Sequence, residues 1–271
     1  MAQRDERGKR EYISFMARII KEESTLKGIM KGLHMETSIL EKIWKIELFA
    51  GGVLILAGAA AWFFGYAWHF VVPGILLVFL GASHALKKGD NRADLGRFKG
   101  GAAGEQEVTK IMQTGLPDSY MILNDCSVRS GSRSAQNDHI VLGPNGIFVV
   151  ETKAYAGVLQ GRAGDDYLQQ TKTRGGKSTQ NRIKNPIPQN AYHIEIVAAR
   201  MSEGGFVTDD IHSIIVFTNR WARIEIDGSD VPVLKPEEIA STILNTKSKF
   251  SYSESWQRKL ASHLDPAVKF E

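Results

Sequence analysis

The stretch QNDHIVLGPNGIFVVETK, residues 136–153, contains two apolar segments separated by the turn sequence GPNG at residues 143–146. Two such segments joined by a turn rich in Gly, Pro and Asn are typical of a β-hairpin. A turn centred on the Pro-Asn pair fixes a register in which Asp138 lies opposite Glu151. Because side chains alternate along a strand, Lys153 shares the face of these two carboxylates. The hairpin therefore predicts a carboxylate pair beside a lysine.

Directly opposed carboxylates have side-chain roots about 5 Å apart and repel each other, so they are normally destabilising. A divalent cation offsets this repulsion, and Mg²⁺ is commonly held by one or two carboxylates together with substrate phosphate. Lys153 is then placed to orient or deprotonate a water molecule and to stabilise phosphate charge. Glu105, on the inward face of a preceding helix, is a candidate water-mediated ligand. The pattern predicts phosphodiester hydrolysis at a site formed by Asp138, Glu151 and Lys153.

Each of these residues also has a purely structural interpretation that the sequence leaves open. Asp138 suits a strand end where its carboxylate binds backbone amides, and Glu105 suits the first turn of a helix, where it complements the helix dipole. A Glu-x-Lys triplet such as residues 151–153 arises by chance about once in a chain of this length. The chemistry therefore depends on all the residues lying in one place.

The segments around the hairpin predict an α/β fold. Apolar periodicity gives the order helix, three strands, helix, strand, which is the pattern of a mixed sheet flanked by helices. The predicted elements are a helix at 104–112, strands at 121–128, 136–142 and 147–153, a helix at 189–201 and a strand at 212–218. Two further helices are expected at 237–244 and 256–264.

These residues resemble the nuclease-related domain, NERD, a branch of the PD-(D/E)xK nuclease superfamily. The resemblance rests on GAAGE at 101–105, LND at 123–125, the hairpin at 136–153, Gly157, Gly161 and NPIPQ at 185–189.

The resemblance implies a restriction-endonuclease-like core and a site for Mg²⁺ or Mn²⁺. It implies metal binding by Asp138, Glu151 and the carbonyl of Thr152. Lys153 is then catalytic, and Glu105 and Gln189 support it.

A basic segment follows the predicted site. Residues 167–194 contain no Asp or Glu but several Lys and Arg side chains among Gly, Ser, Thr and Asn. Such a segment is suited to phosphate contacts that position a strand without reading its bases, and DNA is the expected partner. A solvated surface loop is the structural alternative. The predicted contacts are Lys172, Arg174, Lys177, Arg182 and Lys184.

The segment 48–86 contains no Asp, Glu, Lys or Arg, although the whole chain is 24% charged with a net charge of +4. A single helix crossing a bilayer needs about 20 residues, so this segment predicts a hairpin of two transmembrane helices, 48–65 and 70–86. A buried hairpin in a soluble protein is the alternative. Lysine and arginine flank both ends, which indicates a cytoplasmic (inner) membrane location with both termini in the cytosol. The lone Cys126 agrees with a reducing compartment.

Apolar residues from Tyr12 to Leu33 are spaced by three and four, which predicts an amphipathic helix, with Gly32 to Thr37 as a break before the next helix. This helix and the membrane hairpin are a candidate route to a homo-oligomer, although packing within the chain is equally compatible. The predicted organisation is an N-terminal helical region at 1–47, the membrane hairpin at 48–86, a linker at 87–100, the nuclease-like domain at 101–225 and a C-terminal helical extension at 226–271.

Together these features predict a membrane-anchored, Mg²⁺-dependent nuclease that cuts DNA at the cytoplasmic face, with a role in defence against foreign DNA. Two alternatives belong to other classes of protein. One is a catalytically inactive module that binds nucleic acid or protein at the membrane, because a fold does not guarantee its chemistry. The other is an oligomerising membrane scaffold with a regulatory soluble domain.

Overall fold

The fold is given by a computed structural model, which describes residues 18–21, 25–62, 65, 67–268 and 270. Residues 24–100 form one compact unit, here called the helical unit. The described residues on either side of that segment form the other, here called the sheet unit. The elements of the chain in order are β1 (18–21), α1 (25–61), α2 (67–115), β2 (121–130), β3 (133–143), β4 (146–153), β5 (157–162), β6 (167–174), β7 (177–184), α3 (186–203), β8 (211–217), β9 (222–227), β10 (233–234), a 3₁₀ turn (236–238), α4 (239–245) and α5 (254–264).

The sheet unit contains a six-stranded mixed sheet in the order β1-β2-β3-β4-β8-β10. Strands β2, β3 and β4 are antiparallel neighbours, whereas β8 runs parallel to β4 and β10 runs parallel to β8. The α/β class, with a mixed sheet flanked by helices, is therefore as predicted from the sequence. The predicted strand at 212–218 is β8, shifted by one residue.

The hairpin β3–β4 has the predicted register. Gly143 pairs with Gly146, and the ladder continues residue by residue to His139 opposite Val150. The phenol of Tyr120 packs over the turn and donates a hydrogen bond of 2.8 Å to Oδ1 of Asn145. A Cβ on Gly143 would lie 2.2 Å from the Tyr120 ring, so only glycine fits there. The turn thus locks the register that determines the faces of Asp138 and Glu151.

Each face of the main sheet buries its own apolar core. On one face, Ile140 and Val149 pack against α3 and α5. On the other, Val141 and Phe148 pack against the C-terminal part of α2 and against α4. Helices cover both faces of the central strands β3 and β4. The apolar residues of these strands therefore do not alternate with polar ones. Helices α4 and α5 pack within this same unit, and the domain boundaries at 225 and 226 stay a prediction.

The basic residues of the segment lie on two strands of a second sheet rather than on the surface loop that is the structural alternative. Strands β7, β6, β5 and β9 form a four-stranded sheet, in which β6 and β7 are an antiparallel hairpin. Gly175 and Gly176 make its turn with φ of 56° and 76°, the left-handed conformation that two-residue hairpin turns require. Leu168 and Gln170 alternate as buried residues along β6. The Gly-Gly pair indicates a hairpin turn in the sequence. The two strands beside it were not predicted because they contain few apolar residues.

The N-terminal helix predicted from Tyr12 to Leu33 is wrong over residues 18–21, which form β1 parallel to β2. Its two isoleucines, Ile19 and Ile20, are β-branched and favour a strand over a helix. Tyr12 and Met16 lie outside the described residues. The break expected at Gly32 to Thr37 is also absent, since α1 continues through this segment.

In the helical unit, residues 87–100 are helical rather than an irregular linker. Their charges are directed at α1, where Lys87 lies 2.6 Å from Glu36 and Lys88 lies 3.2 Å from Glu41. Farther along, His84 Nδ1 lies 2.6 Å from a carboxylate oxygen of Glu47. The polar composition that favoured a linker thus supplies ion pairs between two helices.

The apolar parts of α1 and α2 approach closely at glycines. A Cβ on Gly51 would lie 2.7 Å from the carbonyl oxygen of Gly74, and one on Gly74 would lie 2.9 Å from that of Gly51. The contact atoms are backbone and cannot move aside as a side chain can. Gly52, one residue along, has no atom within 4 Å of an added Cβ. The two positions are therefore a matched pair for testing this contact.

Replacing Gly51 by Ile should force the two helices apart and destabilise the helical unit by about 1–3 kcal/mol, as overpacking does. Gly52→Ile introduces the same side chain into open space and should have an effect below about 0.5 kcal/mol. The measurement is far-UV circular dichroism of the full chain in detergent micelles during an SDS titration. Equal shifts for the two variants would show that this glycine contact does not hold the helices together.

Candidate active site

The Asp138 carboxylate lies where β3 and β4 separate. The β3–β4 ladder ends at His139 and Val150, and beyond it the Thr152 backbone N–H donates a 2.7 Å hydrogen bond to Oδ2 of Asp138. The side chain thus replaces a strand-to-strand bond, as the structural alternative anticipated. Burial, followed by repulsion from Glu151 and Glu105, raises the pKa of Asp138 well above its usual range. The hydrogen bond from the Thr152 N–H therefore holds the Asp138 carboxylate in an environment that disfavours its ionised form.

Glu151 is the centre of the cluster and is 1% exposed. Its Oε1 accepts hydrogen bonds from the Lys153 ammonium and, at 2.8 Å, from Nε2 of Gln189. Its Oε2 lies 3.3 Å from Nδ1 of His193. Burial raises the pKa of Glu151, but the contacts with His193 and Lys153 outweigh burial and hold the pKa below its ordinary value. Glu151 is therefore a buried carboxylate that stays charged.

Lys153 is held in its ammonium form. Burial lowers the pKa of Lys153, whereas attraction to Glu151 and Asp138 raises it further, so the net shift is upward. A protonated ammonium cannot take a proton from water. Of the two roles considered in the sequence analysis, the geometry therefore favours binding and stabilising negative charge over acting as the base.

Helix α3 brings Gln189 and His193 to the site because Asn185 and Asn190 fix its position. Asn185 caps the helix by accepting a 3.1 Å bond from the Ile187 N–H, and its amide donates to three carbonyls of the loop between β5 and β6. Asn190 donates 2.8 Å bonds to the Val149 carbonyl and to Ser213. Neither asparagine nor His193 is among the site residues predicted from the sequence. His193 is 7% exposed and faces Glu151.

Glu105 reaches the site from the opposite face of the sheet. Gly104 precedes it at a point where an added Cβ would lie 2.5 Å from Oγ1 of Thr218, so α2 packs tightly against the residue that follows β8. Thr218 in turn donates a 3.0 Å backbone bond to the Lys153 carbonyl. Glu105 contributes to the raised pKa of Asp138, which places it within electrostatic reach.

Buried His139 lies outside the carboxylate cluster. Its Nδ1 lies 2.8 Å from Oδ1 of Asn124, and Thr109 donates a 3.1 Å bond to the same oxygen. Burial lowers the pKa of His139 to about 4, so the ring is neutral. Nε2 of His139 has no hydrogen-bond partner among the described residues. The same is true of Oγ1 of Thr152 on β4.

The five predicted basic contacts all lie on the β6–β7 hairpin, but they divide between its two faces. The register pairs Tyr167 with Lys184 and Gln169 with Arg182, so these side chains share one face. The other three, Lys172, Arg174 and Lys177, lie on the opposite face near the turn at 175–176. The guanidinium of Arg182 lies 4.5 Å from the centre of the Tyr167 ring. A single basic patch of five residues is therefore not formed.

A match to a known family accounts for this arrangement. Residues 100–218 match the model of the nuclease-related domain. This segment of the chain is similar to the nuclease-related domain, NERD, and is here called the NERD segment. The matched range contains Glu105, the hairpin β3–β4, and helix α3, so every group of the carboxylate cluster belongs to the NERD segment. The family resemblance predicted from the sequence is thereby confirmed.

A relative in Bacillus anthracis, an uncharacterised protein, is 34% identical over 98 residues. The matched region is 36% of this chain and 44% of the relative, so it spans less than half of that protein. No solved structure was found to match the chain. The comparisons thus identify the NERD segment and leave the activity of the whole chain to be proposed.

The two neighbouring carboxylates should respond oppositely to removal of their charge. The folded state raises the pKa of Asp138, so its ionised form destabilises the fold at pH values above the usual carboxyl pKa of about 4. Asp138→Asn keeps the acceptor for Thr152 and should raise the melting temperature at pH 7, with the difference disappearing below about pH 4. The folded state lowers the pKa of Glu151, so Glu151→Gln should lower the melting temperature at pH 7.

Thermal melts of the full chain in detergent, between pH 3 and pH 8 and with a chelator present, measure both shifts. Glu195→Gln is the control, because this exposed carboxylate of α3 lies away from the cluster. A destabilising Asp138→Asn at pH 7, or a stabilising Glu151→Gln, would contradict the charge assignment.

Proposed function

We propose that the NERD segment is a divalent-metal-dependent nuclease that hydrolyses phosphodiester bonds of DNA. The observation that carries the proposal is the cluster itself: the buried Glu151 lies beside the half-buried Asp138 and accepts a hydrogen bond from the half-buried ammonium of Lys153. Buried charges that are placed against their own electrostatic preference are characteristic of functional sites. The match to the NERD model supports a nuclease-like reaction at this cluster.

The residues fit a magnesium or manganese ion held in part by substrate. Among the described residues no group of three or more His, Cys, Asp and Glu side chains forms a complete metal cage. Mg²⁺ does not require one, since it is typically bound by one or two carboxylates, several waters and substrate phosphate. The buried Oε2 of Glu151 has no hydrogen bond in good geometry, and Asp138 remains repelled by its neighbours. Asp138, Glu151 and the Thr152 carbonyl would hold the ion.

Such an ion supplies Lewis-acid activation of water and neutralises the developing phosphate charge. The side chains of the chain perform the remaining tasks. Lys153, fixed as an ammonium, is placed to donate hydrogen bonds to a phosphate oxygen as negative charge develops. Gln189 and His193 hold the Glu151 carboxylate in one orientation, and Glu105 adds negative charge beside Asp138. The charges on the hairpin β6–β7 attract the polyanion without distinguishing its bases.

Removing any member of the cluster should abolish cutting. Full-length protein in detergent should nick plasmid DNA with Mg²⁺ or Mn²⁺ and not with a chelator. Asp138→Asn, Glu151→Gln and Lys153→Met should each lower the rate at least 100-fold, whereas Lys110→Met, an exposed lysine on α2, should leave the rate within twofold. Gel electrophoresis of plasmid forms measures the rates. Metal-independent binding that falls steeply with salt, without any cutting, would identify the inactive binding module instead.

We also propose that α1 and α2 anchor this nuclease in the cytoplasmic membrane, with both termini and the NERD segment in the cytosol. Lys31–Ala61 and His69–Gly115 are long and apolar enough to cross a bilayer, and only 11% of the most apolar window of each is buried. A hairpin in a soluble core would bury most of that surface, so lipid is the occupant that fits best. A nuclease at this location is suited to act on incoming DNA, which is the basis for a defensive role.

Carbonate extraction of membranes from cells that express the full chain tests the anchor. The wild-type protein should stay in the pellet. A double variant, Leu56→Arg with Phe79→Arg, places charge on exposed apolar positions and should shift a large fraction to the supernatant, since a central arginine costs about 2.5–3.5 kcal/mol. The exposed Met35→Arg near the start of α1 is the matched control. Complete extraction of the wild-type protein would remove the anchoring proposal.

A further inference from the structure

A cavity of about 430 Å³ opens beside the carboxylate cluster. Two of its lining residues, Gln189 and His193, are the same side chains that contact Glu151 at 2.8 Å and 3.3 Å. The cavity therefore shares a wall with the catalytic carboxylate. Its lining residues are Asp166, Tyr167, Lys184, Pro188, Gln189, Tyr192 and His193.

Two tyrosines line this cavity, and their rings are not part of the hydrophobic core. Tyr167 is 50% exposed and Tyr192 is 42% exposed, and neither belongs to a buried apolar cluster. Tyr167 comes from β6 and Tyr192 from α3, so two different elements present rings to one space. Exposed aromatic rings that converge on a cavity next to an active site are typical of ligand contacts.

Tyr167 is already oriented for such a contact. The guanidinium of Arg182 lies 4.5 Å from the centre of its ring and covers one face. A neighbouring cavity of about 490 Å³ includes Arg182 and also uses Tyr167 as a wall. The Tyr167 ring therefore lines the cavity next to Glu151 as well, and the cation over it restrains its orientation.

The charged groups of the cavity match the parts of a nucleotide. Lys184, directly opposite Tyr167 in the β6–β7 register, is exposed and presents an ammonium for phosphate. Asp166 presents a carboxylate, which accepts hydrogen bonds from the amino group of a base. Aromatic faces bind any base by stacking, which is favourable by about 1–3 kcal/mol per base. The volume is within the 300–1,000 Å³ range of small-molecule sites.

We propose that this cavity is a nucleobase subsite, in which Tyr167 and Tyr192 stack with an unpaired base next to the phosphate that is cut. The inference rests on the proposed nuclease function and specifies its substrate class. In a duplex, neighbouring bases cover both faces of every base, so stacking on protein requires a single strand, an end or a flipped nucleotide. The preferred substrate is therefore single-stranded or locally unpaired nucleic acid.

Binding is measured separately from cutting with the full chain in detergent and a chelator present. The probe is a 12-nucleotide DNA that carries the fluorescent base 2-aminopurine, either single-stranded or paired with its complement. Stacking should quench the single strand on binding and should leave the duplex signal nearly unchanged. Tyr192→Ala and Tyr167→Ala should each weaken single-strand binding about tenfold, within the range for a lost base stack.

Conservative variants separate stacking from a structural role. Tyr192→Phe and Tyr167→Phe keep the ring and should bind within about twofold of the wild-type protein. Lys184→Gln should weaken binding of all sequences and reduce the slope of log affinity against log salt by about one. Phe250→Ala removes an exposed aromatic ring outside the cavity lining and should have no effect.

The outcomes distinguish this inference from the proposed function. Metal-dependent cutting with no quenching, or with equal binding by the alanine and phenylalanine variants, would overturn the nucleobase subsite and leave the nuclease proposal intact. Quenching that depends on the two tyrosines, without any cutting, would support the subsite and remove the catalytic claim. Equal quenching of single-stranded and duplex probes would overturn the preference for unpaired substrate.

Discussion

The repulsion between Asp138 and Glu151 is the constraint on which the site depends. The glycine turn of the β3–β4 hairpin determines the register, and the register leaves two carboxylates facing one another in a poorly hydrated place. The fold does not remove this conflict. The two carboxylates respond differently, since the pKa of Asp138 is raised and that of Glu151 is lowered. A pair of this kind has high affinity for positive charge.

Lys153 supplies a positive charge next to this pair of carboxylates. Its ammonium contacts Glu151 and is attracted to Asp138, so the lysine is charged and confined. Under the proposed function, a lysine held in this way would donate hydrogen bonds to an anionic phosphate and would not act as the proton acceptor. Helix α3 completes the set, and its buried asparagines determine where Gln189 and His193 lie. The geometry of the carboxylate cluster thus depends on residues that have no proposed chemical role of their own.

The fold was predictable where a local pattern has a single interpretation. The hairpin at 136–153 follows from its turn and apolar segments, and α3 and β8 follow from their periodicity. The pattern was misleading where several structures satisfy it. A spacing of three and four was compatible with a helix at residues 18–21, yet these residues form a strand that pairs with β2 in parallel. The polar segment 87–100 resembled a linker because its ion-pair partners, such as Glu36, are distant in the sequence.

The sequence by itself determined which groups share a face, because strand alternation and turn length fix this locally. It therefore identified Asp138, Glu151 and Lys153 together and gave Glu105 as a candidate ligand, and the NERD resemblance added Gln189. Only the tertiary structure decided the contacts that raise the pKa of Lys153, the burial of His193 against Glu151 and the cavity between Tyr167 and Tyr192. Each of these depends on desolvation or on contacts between segments far apart in the chain, and neither quantity is encoded in local spacing.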